Sequence, residues 1–147
     1  DFKNTIIIMT SNIGSEYLLE GNDINSRNQV SNELKTHFKP EFLNRIDDIV
    51  YFNSLDDSVV TKIVMKFIDE LQNRLKNNEI TIGVDQKAIE IIVKQGFDKI
   101  YGARPLKRYI QKEIETPLAR DIIAGRITPK SYITISYDND HFLFIKK

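Results

Sequence analysis

The chain has 147 residues, 41% of them hydrophobic and 29% charged, with 21 basic side chains against 21 acidic ones and no cysteine. A chain of this length buries about two thirds of its unfolded surface, so it needs no disulfide or metal staple, and the missing thiols exclude a cysteine nucleophile or a thiolate metal site. The zero net charge gives no electrostatic case for nucleic acid or an anionic membrane surface, the longest apolar run (Ile6 to Met9) is far short of the roughly 20 residues that span a bilayer, and no signal peptide opens the chain.

Ile6-Ile7-Ile8-Met9-Thr10 is a β-branched run without alternation, which predicts a strand buried on both faces inside a parallel sheet. Only one comparable run, Asp48 to Phe52, lies nearby, so the first part reads as a piece of a larger α/β domain rather than a small complete sheet. Between them, Ser11 to Ser15 is a turn and Gly21 to Ser26 is polar and turn-rich, the best candidate for a mobile loop. Val30, Leu34 and Phe38 fall at helical spacing, and Pro40 starts a short helical turn carrying Phe42, Leu43 and Arg45.

From Leu55 the pattern changes. Val60, Ile63, Val64, Phe67, Ile68, Leu71 and Leu75 form one apolar stripe of period near 3.6, with Asp56, Asp57 and Ser58 ahead of it as capping candidates. Ile80 to Val84 predicts a short strand, and Asp85 caps a helix through Ala88, Ile89, Ile92 and Val93 that Gly96 closes. A further helix opens at Gly102-Ala103-Arg104-Pro105, buries Leu106, Tyr109, Ile110 and Ile114, and kinks or restarts at Thr116-Pro117 before Gly125 ends it. Tyr132 to Ile135 and Phe142 to Ile145 read as a hairpin across Asp138-Asn139-Asp140. The expected organisation is therefore an α/β piece over residues 1–53, with parallel-sheet strands, then an α+β unit over 54–147 of helices packed on a short three-stranded sheet.

Three residues stand out chemically. Asn12 stands just past the carboxyl end of the first expected strand, where open α/β sheets place ligands; its other reading is an asparagine favoured for tolerating a turn. Arg45 is one cation among apolar neighbours, able to reach a phosphate on another subunit or to pair with Asp47 or Asp48. Arg104 sits at a helix N-terminus, where the dipole favours an anion and opposes a cation by a few tenths of a kcal/mol, which points to a functional reason; a solvated basic helix start is the alternative. His37 and His141 lack metal-pair spacing, and no phosphate loop, nucleophile elbow or H-E-x-x-H is present in the chain.

Three segments together resemble one family, the Clp/Hsp100-type AAA+ ATPases, in the C-terminal part of their second ATPase module: N-T-I-I-I-M-T-S-N-I-G-S at 4–15, F-K-P-E-F-L-N-R-I-D at 38–47 and Y-G-A-R-P-L-K-R at 101–108. I-E-T-P-L-A-R-D-I-I-A-G at 114–125 extends the likeness to nearly the whole chain. The resemblance implies that Asn12 is a sensor 1 asparagine orienting the attacking water, that Arg45 is an arginine finger acting in trans, and that Arg104 is a sensor 2 arginine contacting ATP. It implies Mg-ATP as cofactor, with the Walker motifs outside this chain, so that the chain alone is expected to be inactive. It further implies a homo-hexamer of the full-length protein, unfolded or aggregated protein substrates, a DnaK-type co-chaperone system, and a cytoplasmic location by default, any organelle address lying outside the chain.

No I-G-F or I-G-L docking tripeptide occurs between Gly14 and Phe38, which makes the chain most similar to ClpB-type disaggregases. Two alternatives stay open at this point. One is an unfoldase feeding a ClpP-type peptidase; the other is a non-catalytic nucleotide-sensing or oligomerisation module.

Overall fold

The computed structural model describes residues 3–19, 21–99 and 101–146, and the chain divides into two compact units, residues 1–54 and 55–147. In unit 1 a left-handed Gly14 (φ 68°, ψ 15°) turns the chain into one 3-10 turn, Ser15–Leu18. The helix α1 follows at Ile24–His37, and the short helix α2 at Pro40–Leu43 carries its proline in the first turn, where no N–H is needed. Asp23 caps α1 by accepting from the Ser26 amide at 2.7 Å, and that amide, with the Ser26 side chain, holds the Asp23 carboxyl below its ordinary value. Four of the six residues expected as a mobile loop, Asp23 to Ser26, are therefore the cap and first turn of a helix: aspartate and serine are turn formers and N-cap formers for the same reason, a short side chain that bonds the backbone.

Neither of the two runs expected as strands forms one among the described residues. Ile6, Ile7 and Ile8 are 89, 83 and 84% exposed, and residues 48–52 lie outside every strand. A β-branched run favours extended backbone, but a strand exists only when a neighbour takes up its N–H and C=O groups, and unit 1 offers none. Val30 is the one buried apolar side chain described in this unit.

Unit 2 holds the hydrophobic core. Its first helix, α3 at Asp57–Leu75, is capped by Asp56, whose carboxylate accepts from Ser58 Oγ at 2.6 Å and from the Val59 amide at 2.9 Å. Those two bonds, the Ser58 hydroxyl foremost, hold the Asp56 carboxyl below its ordinary value. Val60, Val64, Ile68, Leu71 and Leu75 are the buried stripe of α3. The strand β1 spans Thr81–Val84, α4 Gln86–Gly96 and α5 Arg104–Ile110. A π turn at Gln111–Glu115 leads into α6 at Thr116–Ile123, and the strands β2 at Tyr132–Asp138 and β3 at His141–Lys146 close the chain.

The sheet order is β1-β2-β3, with β1 parallel to β2 and β2 antiparallel to β3. Ile133, Ile135 and Tyr137 alternate onto the core face of β2, and Asp138 pairs with His141 across a two-residue loop. Asn139 and Asp140 both take positive φ (47° and 61°), as the tight hairpin turn with the twist of its strands requires. The Gln72 side chain of α3 bonds the open edge of β1, donating to the Ile80 carbonyl at 3.1 Å and accepting from the Ile82 amide at 2.6 Å.

At Thr116-Pro117 the α-helix restarts after a π turn, and the correction to the expected capped restart is that Thr116 does not cap it. Leu106, Ile110, Ile114 and Leu118 recur every four residues and are all at most 1% exposed, with Ile122 next in the series and partly buried. In a pure α-helix a four-residue repeat drifts about 40° per step, so Leu106 and Ile122 would diverge by roughly 160°. One π turn acts as a single inserted residue and takes back about 100°, leaving the stripe on one face. The turn also accommodates Pro117, which has no N–H to donate. Thr116 does not cap forward: its hydroxyl donates backward to the Gln111 carbonyl at 2.8 Å, the acceptor that its own amide also uses.

Candidate functional site

Asn12 lies at the start of the turn that ends in the 3-10 helix. Its carbonyl accepts from the Ser15 amide at 3.1 Å, while Ser11 Oγ accepts from the Ile13 amide at 3.1 Å. Gly14 is required twice at this turn: its φ is left-handed, and a Cβ there would stand 3.1 Å from Val30 Cα and Cγ2. The turn is thereby laid against α1, and the Asn12 residue is left exposed. The buried strand expected to present Asn12 is not formed in this unit.

Arg45 follows α2 in a turn closed by two backbone bonds, Arg45 N–H to Phe42 O at 3.0 Å and Ile46 N–H to Leu43 O at 3.2 Å. Stacking of Phe38 on Phe42, with ring centroids 5.1 Å apart, couples this turn to the end of α1. Arg45 is exposed, and among the described residues no carboxylate, Asp47 and Asp48 included, lies within ion-pair distance of it.

Arg104 is the first residue of α5. Asp98 and Gly102 exchange backbone bonds (2.7 and 3.3 Å), the Tyr101 amide donates to Asp98 Oδ1 at 2.9 Å, and Gly102 takes φ 66°, so a closed turn delivers the chain to the helix start. Pro105 is the second helical residue rather than the first, still within the turn whose amides have no intrahelical partner. Leu106, fully buried, sits against Gly96, where a Cβ would come 2.6 Å from Leu106 Cδ1. Gly96 is thus a contact point between α4 and α5 as well as the last residue of α4, which it closes as expected but with ordinary helical backbone; Gly125, expected to end the later helix, follows α6 with φ 72°. Tyr109 ties the same helices together, donating to Gln95 Oε1 at 2.5 Å, and burial, followed by the Glu113 charge, pushes its phenol up to about 12. Arg104, Lys107 and Arg108 stay exposed, and Arg104 has no ion pair among the described residues.

Asn12 and Arg45 therefore share unit 1, and Arg104 belongs to unit 2. Sequence reasoning missed a cleft of about 150 Å³ in unit 2, where Phe67, Glu70 and Arg74 of α3 face Lys107, Ile110, Gln111 and Glu115. Arg74 crosses it to Glu115 at 2.5 Å. Its one trace in the sequence is the four-residue apolar repeat running into Thr-Pro, which specifies the π turn on its wall. No described helix is long and apolar enough to cross a membrane.

The family model for the C-terminal, D2-small domain of ClpB protein matches residues 55–135. The chain belongs to the ClpB D2-small family. A second family model, for the AAA domain (Cdc48 subfamily), matches residues 1–49 ahead of the D2-small match. Among curated relatives, the chaperone protein ClpB of Lactiplantibacillus plantarum is 50% identical over 98% of the chain, and that of Bacillus anthracis 48% over 97%. The chaperone protein ClpB of Clostridium tetani is 55% identical over 86%. The chain spans 15–17% of the length of these ClpB relatives.

Proposed function

We propose that this chain is the C-terminal part of the second ATPase module of a ClpB-type disaggregase, which senses nucleotide and couples ATP hydrolysis in a hexameric ring to the threading of protein substrates. The observation that carries this reading is the order of the two family matches, an AAA domain and then a ClpB D2-small domain, along one chain whose relatives are named ClpB throughout nearly its full length. The same names leave a peptidase-feeding unfoldase unfavoured. In this reading residues 1–53 end the large ATPase subdomain and 54–147 form the small one.

Each site residue then has a role that its surroundings suit. Asn12 is exposed at a rigid glycine turn, and an amide there can hold the water that attacks the γ-phosphorus as the bond to the β–γ bridging oxygen breaks, releasing ADP and phosphate. Arg45 and Arg104 are exposed guanidinium groups with no carboxylate partner described, so neither has to break an ion pair to meet a phosphate. Arg45 acts on the nucleotide of the neighbouring protomer, and Arg104 contacts its own from the small subdomain. In this reading Mg-ATP is the cofactor, and the Walker motifs that hold it lie outside these residues. Unfolded or aggregated proteins are the substrates, and a DnaK-type system is the partner.

The test is Arg45→Ala in the full-length ring. Arginine fingers are worth about 10³ to 10⁵ in rate, or roughly 4 to 7 kcal/mol of barrier. ATP turnover should collapse by that order while nucleotide binding stays within about twofold. Normal turnover would overturn the finger assignment. The isolated chain should show no ATP turnover above background, and turnover by it alone would refute the reading.

A further inference from the structure

Asn22 uses both ends of its side-chain amide to join two distant stretches of unit 1. Its Nδ2 donates to Asn53 Oδ1 at 2.6 Å and to the Tyr51 carbonyl at 3.4 Å. Its Oδ1 accepts from Arg27 Nε at 2.7 Å, and the Arg27 guanidinium lies over the Tyr51 ring, 5.7 Å from the centroid. Only a group that donates and accepts at once can hold this node: a carboxylate at 22 would face two acceptor oxygens, and an apolar side chain would leave all three partners.

The node closes a frame around Arg45. One long side is α1, whose fourteen residues are about 21 Å long. At its far end the Phe38–Phe42 stack leads into α2 and the turn bearing Arg45. The other side is the irregular segment 46–53, whose eight residues can reach up to about 26 Å, enough to return along the whole of α1. Asn22, Arg27, Tyr51 and Asn53 fasten that return at the end opposite Arg45. On the near side the Arg45 turn is held by its backbone bonds and the Phe38–Phe42 stack, so the side left to loosen the aim of the guanidinium is the segment the turn feeds.

We propose that Asn22, with Arg27, Tyr51 and Asn53, is a clamp that positions Arg45 for its action on the neighbouring protomer's nucleotide. This rests on the finger role of Arg45 proposed above. The clamp residues touch no reacting atom; they act through the turn that Arg45 occupies.

The test compares kcat and KM for ATP in the full-length ring for Asn22→Asp, Asn53→Ala, Asn53→Asp, Arg45→Ala and the Asn22→Asp/Arg45→Ala double variant, with ring assembly checked by size. Loosened aim should lower kcat about ten- to a hundredfold in Asn22→Asp and Asn53→Ala, with KM within about twofold. Asn53→Asp keeps the acceptor for Asn22 and should rescue most of the rate that Asn53→Ala loses. The double variant should match Arg45→Ala alone, because a clamp acting through Arg45 has nothing left to position. Undiminished kcat in Asn22→Asp, or a further loss in the double variant, would overturn the clamp while Arg45→Ala still shows the finger at work. Should Asn22→Asp fail to assemble, the Asn53 pair decides: equal rates for alanine and aspartate would overturn the proposal. An unchanged Arg45→Ala would instead remove the finger reading, and the clamp with it.

Discussion

Replacing Ile114 by alanine probes the π turn where it meets the core. Ile114 is 0% exposed and lies inside the turn, third in the Leu106, Ile110, Ile114, Leu118 series. The change removes three carbons, worth roughly 2.4 kcal/mol of transfer free energy at about 0.8 kcal/mol per methylene. A cavity term adds to this, because fully buried neighbours on both sides, Ile110 and Leu118, are already held by their own contacts; the whole cost should be about 3 to 4 kcal/mol. For a unit of this size each kcal/mol shifts Tm by roughly 4 to 8 °C, so thermal unfolding followed by circular dichroism should show a fall of at least about 12 °C. Ile123→Ala is the matched control: one residue past the stripe, 87% exposed, it should stay within about 0.5 kcal/mol of the parent. Equal costs for the two variants would refute the stripe and the π turn that keeps it aligned.

Gly96→Ala sets two effects against each other: alanine gains about 1 kcal/mol of helix propensity, but its Cβ meets Leu106 Cδ1 at 2.6 Å in a fully buried position, and overpacking costs about 1 to 3 kcal/mol. The overpacking should win, giving a lower urea midpoint; a raised midpoint would show that Leu106 can yield. Asp85→Ala removes the α4 cap, in which the carboxylate accepts from the Ala88 amide at 2.7 Å, and strips Ser136 Oγ of its acceptor, so denaturant unfolding should show a loss of about 1 to 2 kcal/mol that Asp85→Asn largely restores. Tyr109 has its phenol raised to about 12, so the folded state binds that proton more tightly than the unfolded state, and the stability this represents is complete below pH 10 and lost as pH rises toward 12. An ultraviolet titration should find a tyrosine ionising near pH 12, and Tyr109→Phe should abolish that step.

The sequence made unit 2 legible because its signals are local. The α3 stripe repeats over five turns, Asp56 and Asp85 sit where the caps belong, and Asn139-Asp140 can both take the positive φ of a tight hairpin. The misses share a cause. Whether Ile6 to Met9 becomes a strand depends on a neighbour that local sequence cannot supply, and the end of α4 at Gly96 was legible while the close approach of Leu106 to it was not. The four-residue spacing behind the π turn was present in the sequence, but it differs from an ordinary helix only by a slow drift that the eye absorbs. Among the site residues, Asn12, Arg45 and Arg104 drew attention through residue type and place. The Asn22 node gave no signal, since its partners are 29 and 31 residues away and no pattern links an asparagine to another asparagine at that range.

Residues 6–9 combine high β propensity with no charge; Ile6, Ile7 and Ile8 are more than 80% exposed and Met9 57%, and no strand lies beside them among the described residues of unit 1. A segment of that kind is a template for another chain of the same sequence, since identical strands can pair in register and bury the same side chains against each other. The solution behaviour of this chain will therefore be set less by its folded unit 2 than by four exposed residues at its beginning: light scattering should rise with concentration, and a lysine at Ile7 should suppress the rise while leaving the unfolding of unit 2 unchanged.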